Sequence, residues 1–245
     1  MTTTSGIDEY ARARSLVAAE EKAVALFDAV VERGLIVPGE TESAVSGRVR
    51  DLGAELFGTN KHWHKRIVRS GPNTLKPYAE NPPDRLLEDD DIVFLDFGPI
   101  FDEWEADLGR TYVLGGDPVK QRLRDDLEPV WAAGQAHFDA HPEITGAQLY
   151  AHVVGLAEAR GWEFGGVHSG HLVGEFPHEW IDGERIESYI APGSDHVMRR
   201  SDPSGRVAHW ILEVHLVDRE RQIGGFFEQL LSLHRRPRTP ARPVG

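Results

Sequence analysis

The chain has no cysteine among its 245 residues. This absence excludes disulfide bonds, zinc sites with thiolate ligands and cysteine-bound iron–sulfur clusters. Long apolar runs are also missing, and no segment approaches the roughly 20 apolar residues that span a bilayer. The N-terminal residues lack the apolar stretch of a signal peptide. We therefore expect a soluble, cytoplasmic protein that does not enter a membrane.

Basic residues are scarce relative to acidic ones. The chain has 27 Lys and Arg against 40 Asp and Glu, which gives a formal net charge of −13. A general nucleic-acid binder needs a basic face to neutralise phosphates, so we expect no nucleic-acid partner. Hydrophobic residues make up 40% of the chain and charged residues 27%, values typical of a globular protein with a sizeable core.

The order of the predicted elements indicates a single domain of the α+β class over residues 1–245. Apolar spacing, capping residues and apolar runs predict helices over 8–33, 41–58, 118–133 and 145–161, and strands over 91–98, 107–114 and parts of 162–232. Two helices followed by strands occur twice, which suggests two α+β halves. The first two helices occupy the N-terminal 1–60, and 61–81 reads as irregular. We expect the polar, proline-rich tail 235–245 to be mobile.

Five side chains of types that bind metal ions occur in short blocks along the chain: Asp96, Asp107, His171, Glu213 and Glu228. Four carboxylates gathered without cations would repel one another. Hard divalent ions favour carboxylate oxygen, with imidazole as a borderline ligand, and a two-ion site needs a bridging carboxylate. A predicted hairpin brings Asp96 and Asp107 to one region. The pattern therefore favours a metal site.

Local pattern alone leaves alternatives open for several of these positions. Asp96 and Glu228 are equally compatible with solvent-facing strand positions, because side chains alternate between the two faces of a strand. Three other histidines, His62, His64 and His215, are candidates for additional ligands or for groups that support the ligands. A single histidine is nevertheless more often structural than metal-binding.

At these blocks the chain resembles the pita-bread metallopeptidases, which include methionine aminopeptidase, proline aminopeptidase, prolidase and creatinase. The matching blocks are Leu95-Asp96-Phe97-Gly98, Asp107 with Arg110-Thr111, the glycine-flanked His171, His178-Glu179, Glu213 and Glu228. The resemblance implies the pita-bread fold, with two pseudo-symmetric α+β halves around a central dinuclear metal site, and it also implies a homodimer.

The resemblance further implies roles for single residues. Two divalent ions (Mn, Fe, Co or Zn) would be held by Asp96, Asp107, His171, Glu213 and Glu228. Asp107 and Glu228 would bridge the ions, while His171 and Glu213 would complete the shell of one ion. His178 would hydrogen-bond the substrate carbonyl or the developing oxyanion.

The turn SGPNT at 70–74 places the chain nearest the proline-peptidase branch, whose extra N-terminal domain we expect this chain to lack. Three positions depart from the branch pattern. Tyr78 stands where a substrate-binding histidine follows proline, and Val214 follows Glu213 where proline is usual. Gln229 follows Glu228 where aspartate is common. All five predicted metal ligands match the branch pattern, whereas the residues expected near the substrate differ from it.

The leading functional hypothesis is a dinuclear metal-dependent hydrolase of the aminopeptidase or dipeptidase kind, which acts on a peptide or a small amide. In this hypothesis Glu213 is the general base, and His178 and Tyr78 stabilise the oxyanion as catalytic hydrogen-bond donors. A second hypothesis keeps the metal site for C–N hydrolysis of a small molecule or for di-iron oxygen chemistry. A third is a non-catalytic module that binds a peptide.

Overall fold

The computed structural model describes residues 8–177, 185–202 and 205–233. Three features of the sequence interpretation lie outside these ranges: the expected oxyanion donor His178, its neighbour Glu179 and the tail 235–245. Within the described part of the chain, no helix combines the length and the apolar character that a membrane span requires.

Four α-helices form where the sequence predicts them: α1 (Glu9–Glu32), α2 (Glu42–Phe57), α3 (Pro118–Ala140) and α4 (Gly146–Ala159). The predicted caps are present. The Thr41 side chain accepts the N–H of Ala44, and Gly58 ends α2 in the left-handed conformation, with φ of 69°. Thr145 and Gln148 form a capping box that starts α4.

Helix α3 is longer than predicted, because it continues past residue 133 to Ala140. Its buried face includes Trp131 and Phe138, which extend the apolar stripe beyond the predicted end. The helix ends one residue before His141, whose successor is Pro142. A residue before proline is disfavoured in the helical region, which gives the helix a stop signal later than the one expected.

The described strands form one seven-stranded antiparallel sheet and a small two-stranded ribbon. The sheet contains β1 (Ile67–Ser70), β2 (Ile92–Phe97), β5 (Leu108–Val113), β6 (Glu163–Phe164), β7 (Leu172–Val173), β8 (His209–Asp218) and β9 (Ile223–Leu230). Its strand order is β1-β2-β5-β9-β8-β6, and β7 also pairs with β8. The ribbon consists of β3 (Ile100–Phe101) and β4 (Trp104–Glu105). The prediction that 61–81 is irregular is wrong at β1. This segment pairs with β2 in a regular register, and all four of its residues are buried.

Each pair of helices packs on its own part of the sheet. Helices α1 and α2 share one buried cluster with β1, β2 and β5, to which Val93, Leu95 and Phe97 contribute. Helices α3 and α4 share another with β8 and β9, to which Leu212 and Val214 contribute. This arrangement confirms the predicted α+β class with two halves.

Strand alternation sends the polar side chains to the face opposite the helices. Between Leu95 and Phe97, which pack against α1 and α2, Asp96 points the other way. Likewise Glu213 lies between Leu212 and Val214 on β8. One face of the sheet is therefore the core, and the other face presents carboxylates near the line where the halves meet.

Candidate metal centre

The sheet register places the predicted carboxylates side by side. Asp96 pairs with Gly109, Gly109 pairs with Glu228, and Glu228 pairs with Glu213, so the row crosses strands β2, β5, β9 and β8. Asp107 directly precedes β5. Gly109 leaves room for the Phe226 ring, because a Cβ atom at this position would lie 2.5 Å from that ring.

His171 joins these carboxylates from the residue that precedes β7. Its Nε2 lies 3.2 Å from Asp107 Oδ2, 3.6 Å from Glu213 Oε1 and 3.8 Å from Glu228 Oε1. The structure thus brings all five predicted ligands together. The solvent-facing alternative for Asp96 and Glu228 is wrong, since both side chains are buried.

His64 is a sixth member of the cluster, and sequence reasoning named it only among possible additional groups. Its Nε2 lies 3.1 Å from Asp107 Oδ1 and 3.6 Å from Asp96 Oδ1. Within the described ranges, two groups of side chains have donor atoms close enough to share an ion: His64, Asp96 and Asp107, and Asp107, His171 and Glu228. Asp107 belongs to both groups.

Burial and like charge set the proton affinities of the carboxylates. Burial, together with the charges of Asp107 and Glu213, raises the pKa of Asp96 to about 7. Burial and the charge of Asp107 also raise the pKa of Glu228 well above its usual value. Asp107 differs, because its two histidine neighbours outweigh burial and hold its pKa below the usual range. Without cations, the cluster would therefore hold extra protons.

The negative charge of the carboxylates also changes the pKa values of His64 and His171. Burial disfavours the charged imidazole, but Asp107 and Asp96 overcome that effect and raise the pKa of His64 to about 9. Asp107 and Glu213 likewise overcome burial and raise the pKa of His171 to about 9. Both rings thus face a site that attracts positive charge.

The donor set fits divalent metal ions. Donor atoms bound to one ion at about 2.0–2.2 Å lie roughly 3.0–3.5 Å from one another in tetrahedral or octahedral geometry. The separations of His64 and His171 from Asp107, 3.1 Å and 3.2 Å, fall in that range. Carboxylates and imidazoles are ligands suited to ions such as Mn²⁺, Fe²⁺, Co²⁺ and Zn²⁺. Divalent cations would also relieve the repulsion among the carboxylates.

The other histidines named from the sequence have different surroundings. His215 Nε2 donates to the carbonyl of Thr74 at 2.9 Å, and burial lowers its pKa to about 4. His62 Nδ1 lies 3.2 Å from the carbonyl of Asn60, and burial lowers its pKa to about 4 as well. His215 therefore anchors a turn beside the site, and His62 belongs to neither of the groups that could share an ion.

The cluster lies in the wall of a cavity of about 630 Å³. Aromatic side chains line much of it: Trp63, Tyr78, Phe94, Phe176, Tyr189 and Phe226. The Tyr78 hydroxyl accepts the N–H of Lys65 at 3.4 Å, and its ring lies 6.0 Å from that of His64. Burial raises the pKa of Tyr78, so its phenol stays protonated near neutral pH.

Gln229, one of the departures from the family pattern, contacts Arg110. Its Oε1 accepts a hydrogen bond from Arg110 at 2.6 Å, while Arg110 also donates to the carbonyl of Glu228 at 2.8 Å. A neutral amide oxygen thus positions Arg110 across β5 and β9 without adding another negative charge to the region.

Comparison with known proteins identifies the family of this chain. The model of metallopeptidase family M24 matches residues 14–203. The Xaa-Pro dipeptidase of Pyrococcus furiosus is 30% identical over 172 residues, which cover 69% of this chain and 48% of that protein. The chain thus spans about half the length of the curated relatives it matches.

Solved structures show the same fold. The prolidase of Thermococcus sibiricus superposes with a TM-score of 0.69 at 20% identity, covering 94% of this chain and 60% of that one. Methionine aminopeptidase from Rickettsia prowazekii gives a TM-score of 0.63 at 15% identity, covering 88% of this chain and 90% of that one. The fold and the cluster define a pita-bread protein with a candidate metal centre. The chain belongs to metallopeptidase family M24.

Proposed function

We propose that this chain is a dinuclear metal-dependent hydrolase that cleaves the amide bond of a short peptide. The observation that carries the proposal is Asp107, which is shared by two groups of potential metal ligands in the wall of a cavity. The similarity to Xaa-Pro dipeptidases makes dipeptides with proline in the second position the first substrates to test.

In this proposal the ions are held by Asp96, Asp107, His171, Glu213 and Glu228. When bound, two divalent ions supply Lewis acidity for the substrate carbonyl and lower the pKa of the attacking water. Asp107 and Glu228, the two most deeply buried carboxylates of the cluster, would bridge the ions.

Glu213 is our proposed general base. Its Oε1 lies 3.6 Å from His171 Nε2, and its Oε2 lies 3.5 Å from His168 Nδ1. One oxygen thus faces the ligand cluster, while the other faces a histidine of the cavity wall. Oε2 can take a proton from the attacking water and return it to the leaving amine.

Tyr78 is our proposed donor to the oxyanion. Its phenol is protonated near neutral pH, lines the cavity and lies beside His64. A neutral hydroxyl aimed at developing negative charge stabilises the transition state more than the ground state. His178, outside the described ranges, stays a proposed second donor on the strength of its sequence match.

Cavity size supports a small substrate. A volume of about 630 Å³ lies within the roughly 300–1,000 Å³ usual for small-molecule sites. Its aromatic walls suit apolar side chains and the proline ring.

The test is anaerobic hydrolysis of a panel of Xaa-Pro and Met-Xaa dipeptides by the full chain, with metal content measured on the same sample. We expect cleavage that disappears after chelation and in Asp107→Asn. The matched control, Asp125→Asn, alters an exposed carboxylate paired with Arg124 and should keep activity. A protein that holds two ions yet cleaves no peptide would contradict the proposal.

A second candidate is oxidation of a small molecule with dioxygen at a di-iron site. The observation that favours it is His64, which brings the cluster to four carboxylates and two imidazoles. Carboxylate-bridged di-iron proteins use the same composition of ligands. Dioxygen consumption by the iron-loaded protein, with no anaerobic peptide cleavage by any metal form, would favour this reaction.

A further inference from the structure

We propose that His64 is a sixth ligand of the metal centre, so that each of the two ions carries one imidazole. The inference rests on the two-ion centre of the proposed function and adds a residue that the five matching family positions do not include. It assigns His64 to the ion beside Asp96, and His171 to the other ion.

The geometry is nearly symmetric about Asp107. His64 Nε2 lies 3.1 Å from Oδ1 of Asp107, and His171 Nε2 lies 3.2 Å from Oδ2. Each ring also faces a second carboxylate at 3.6 Å, Asp96 for His64 and Glu213 for His171. The distances that make His171 a candidate metal ligand therefore make His64 one as well.

Hydrogen bonds fix both rings in the orientation that a metal ligand needs. His64 Nδ1 donates to the carbonyl of Lys65 at 2.7 Å, and His171 Nδ1 donates to the carbonyl of Leu172 at 2.8 Å. With its proton held at Nδ1, each imidazole directs the Nε2 lone pair toward the carboxylates. A carbonyl behind the ring is a usual support for a metal-binding histidine.

The loop that carries His64 is built tightly against the end of β2. The backbone N–H of Trp63 donates to the carbonyl of Gly98 at 2.9 Å, and its indole donates to the carbonyl of Ala106 at 3.0 Å. Gly98 has no side chain, and a Cβ atom there would overlap both the His64 ring and the Trp63 indole. The Trp63 ring also packs edge-on against His64 and His171. The position of His64 is thus determined by its surroundings.

The assignment also gives the two ions similar sets of ligands. Without His64, the ion beside Asp96 would have only carboxylate oxygens from the cluster, whereas its neighbour would have His171. A nitrogen ligand on each ion shifts the preference of the pair from Mn²⁺ toward Fe²⁺, Co²⁺ and Zn²⁺.

The test uses the full chain loaded with Co²⁺ after chelation. A ligated imidazole with a protonated Nδ1 gives one exchangeable, hyperfine-shifted N–H resonance in the proton NMR spectrum. We expect two such resonances from the wild-type protein and one from His64→Gln. Affinity for the second Co²⁺ should fall by more than the roughly 10–100-fold usual for a group outside the ligand shell. The matched control is His62→Gln, from the same loop, which should keep both resonances.

The wild-type spectrum alone tests the inference if His64→Gln does not fold. A single shifted imidazole N–H in a protein that binds two Co²⁺ overturns the assignment. So does a His64→Gln variant that binds both ions at wild-type affinity but loses turnover, since that result places His64 against substrate. Two resonances in a protein that cleaves no peptide would defeat the proposed hydrolase activity while supporting the ligand assignment.

Discussion

Glu213 and Glu228 lie directly opposite each other on the adjacent antiparallel strands β8 and β9. Like charges at opposed positions destabilise a sheet, and these two are joined by Asp96 and Asp107 within one cluster. The repulsion between these two carboxylates therefore destabilises the metal-free fold, and bound cations would remove that repulsion. Several measurable properties of the protein depend on this relationship.

The ligand cluster should contribute less stability to the metal-free protein as pH rises. The pKa values of Asp96, about 7, and Glu228 are raised in the fold, so these two groups bind more protons in the folded chain than in the unfolded one above about pH 4. His64 and His171, with pKa values of about 9, add stability that is complete below about pH 6.5 and declines toward pH 9. Asp107 has a lowered pKa, and its stabilisation is lost only in acid.

We therefore expect Tm of the chelated protein to decrease between about pH 6.5 and about pH 8.5, and the gain in Tm on adding Co²⁺ to grow over the same range. Below about pH 6.5, His62, His209 and His215, whose pKa values burial lowers to about 4, change stability in the opposite direction. Thermal unfolding followed by circular dichroism measures both. The metal-loaded and chelated proteins have the same charged groups outside the cluster. The difference between their Tm values therefore reports the contribution of the cluster alone. A gain in Tm that is constant with pH would contradict this interpretation.

The two carboxylates of the hairpin should have unequal effects on metal content. Asp96→Asn removes a ligand from one group only, so about one ion per chain should stay bound. Asp107→Asn alters both groups and should leave well under one ion per chain. Metal analysis after gel filtration gives the stoichiometries. Equal losses in the two variants would show that Asp107 is not shared.

Tyr78→Phe should lower kcat by about 10²-fold, with little change in KM, because a single oxyanion donor is typically worth about 10²–10³ in kcat. The assay is steady-state kinetics on the best dipeptide of the panel, with metal content checked in parallel. Tyr10→Phe is the matched control, since Tyr10 is an exposed residue of α1. A change of less than twofold in kcat would remove Tyr78 from the mechanism.

Gly109→Ala and Gly155→Ala should change stability in opposite directions. A Cβ at Gly109 meets the Phe226 ring at 2.5 Å, and overpacking of this kind costs about 1–3 kcal/mol. Gly155 lies inside α4 with no heavy atom within 4 Å of the added Cβ, so alanine there should stabilise by about 0.4–1 kcal/mol. Urea unfolding measures both. Gly109→Ala should also weaken metal binding, because Glu228 lies beside it.

Much of the fold follows from local signals in the sequence. Thr41, Gly58 and the pair Thr145 and Gln148 mark helix ends through hydrogen bonds and backbone conformations that involve only near neighbours. Strand β1 escaped prediction because four residues inside an irregular region carry too little periodicity. It forms because it pairs with β2, more than twenty residues later in the sequence.

The metal ligands could be predicted because their five blocks occur in the order and spacing of the family, although each block alone is a weak signal. The importance of His64 could not be predicted in that way. His62 and His64 look alike in the sequence, two residues apart in the same loop. Only His64 reaches the cluster, through a contact with Asp107 that spans 43 residues. Which of the two rings enters the site depends on how the loop joins β1 and on the space left by Gly98.

Strand β9 is the last strand in the described chain, yet it occupies the middle of the sheet, between β5 and β8. It therefore joins the two halves and delivers Glu228 in the same step. On the ribosome, the earlier strands would emerge as two incomplete sheets with a partial set of ligands. A chain that stops before Ile223 can neither close the sheet nor complete the proposed set of metal ligands. Stable metal uptake would consequently distinguish finished molecules from abortive translation products.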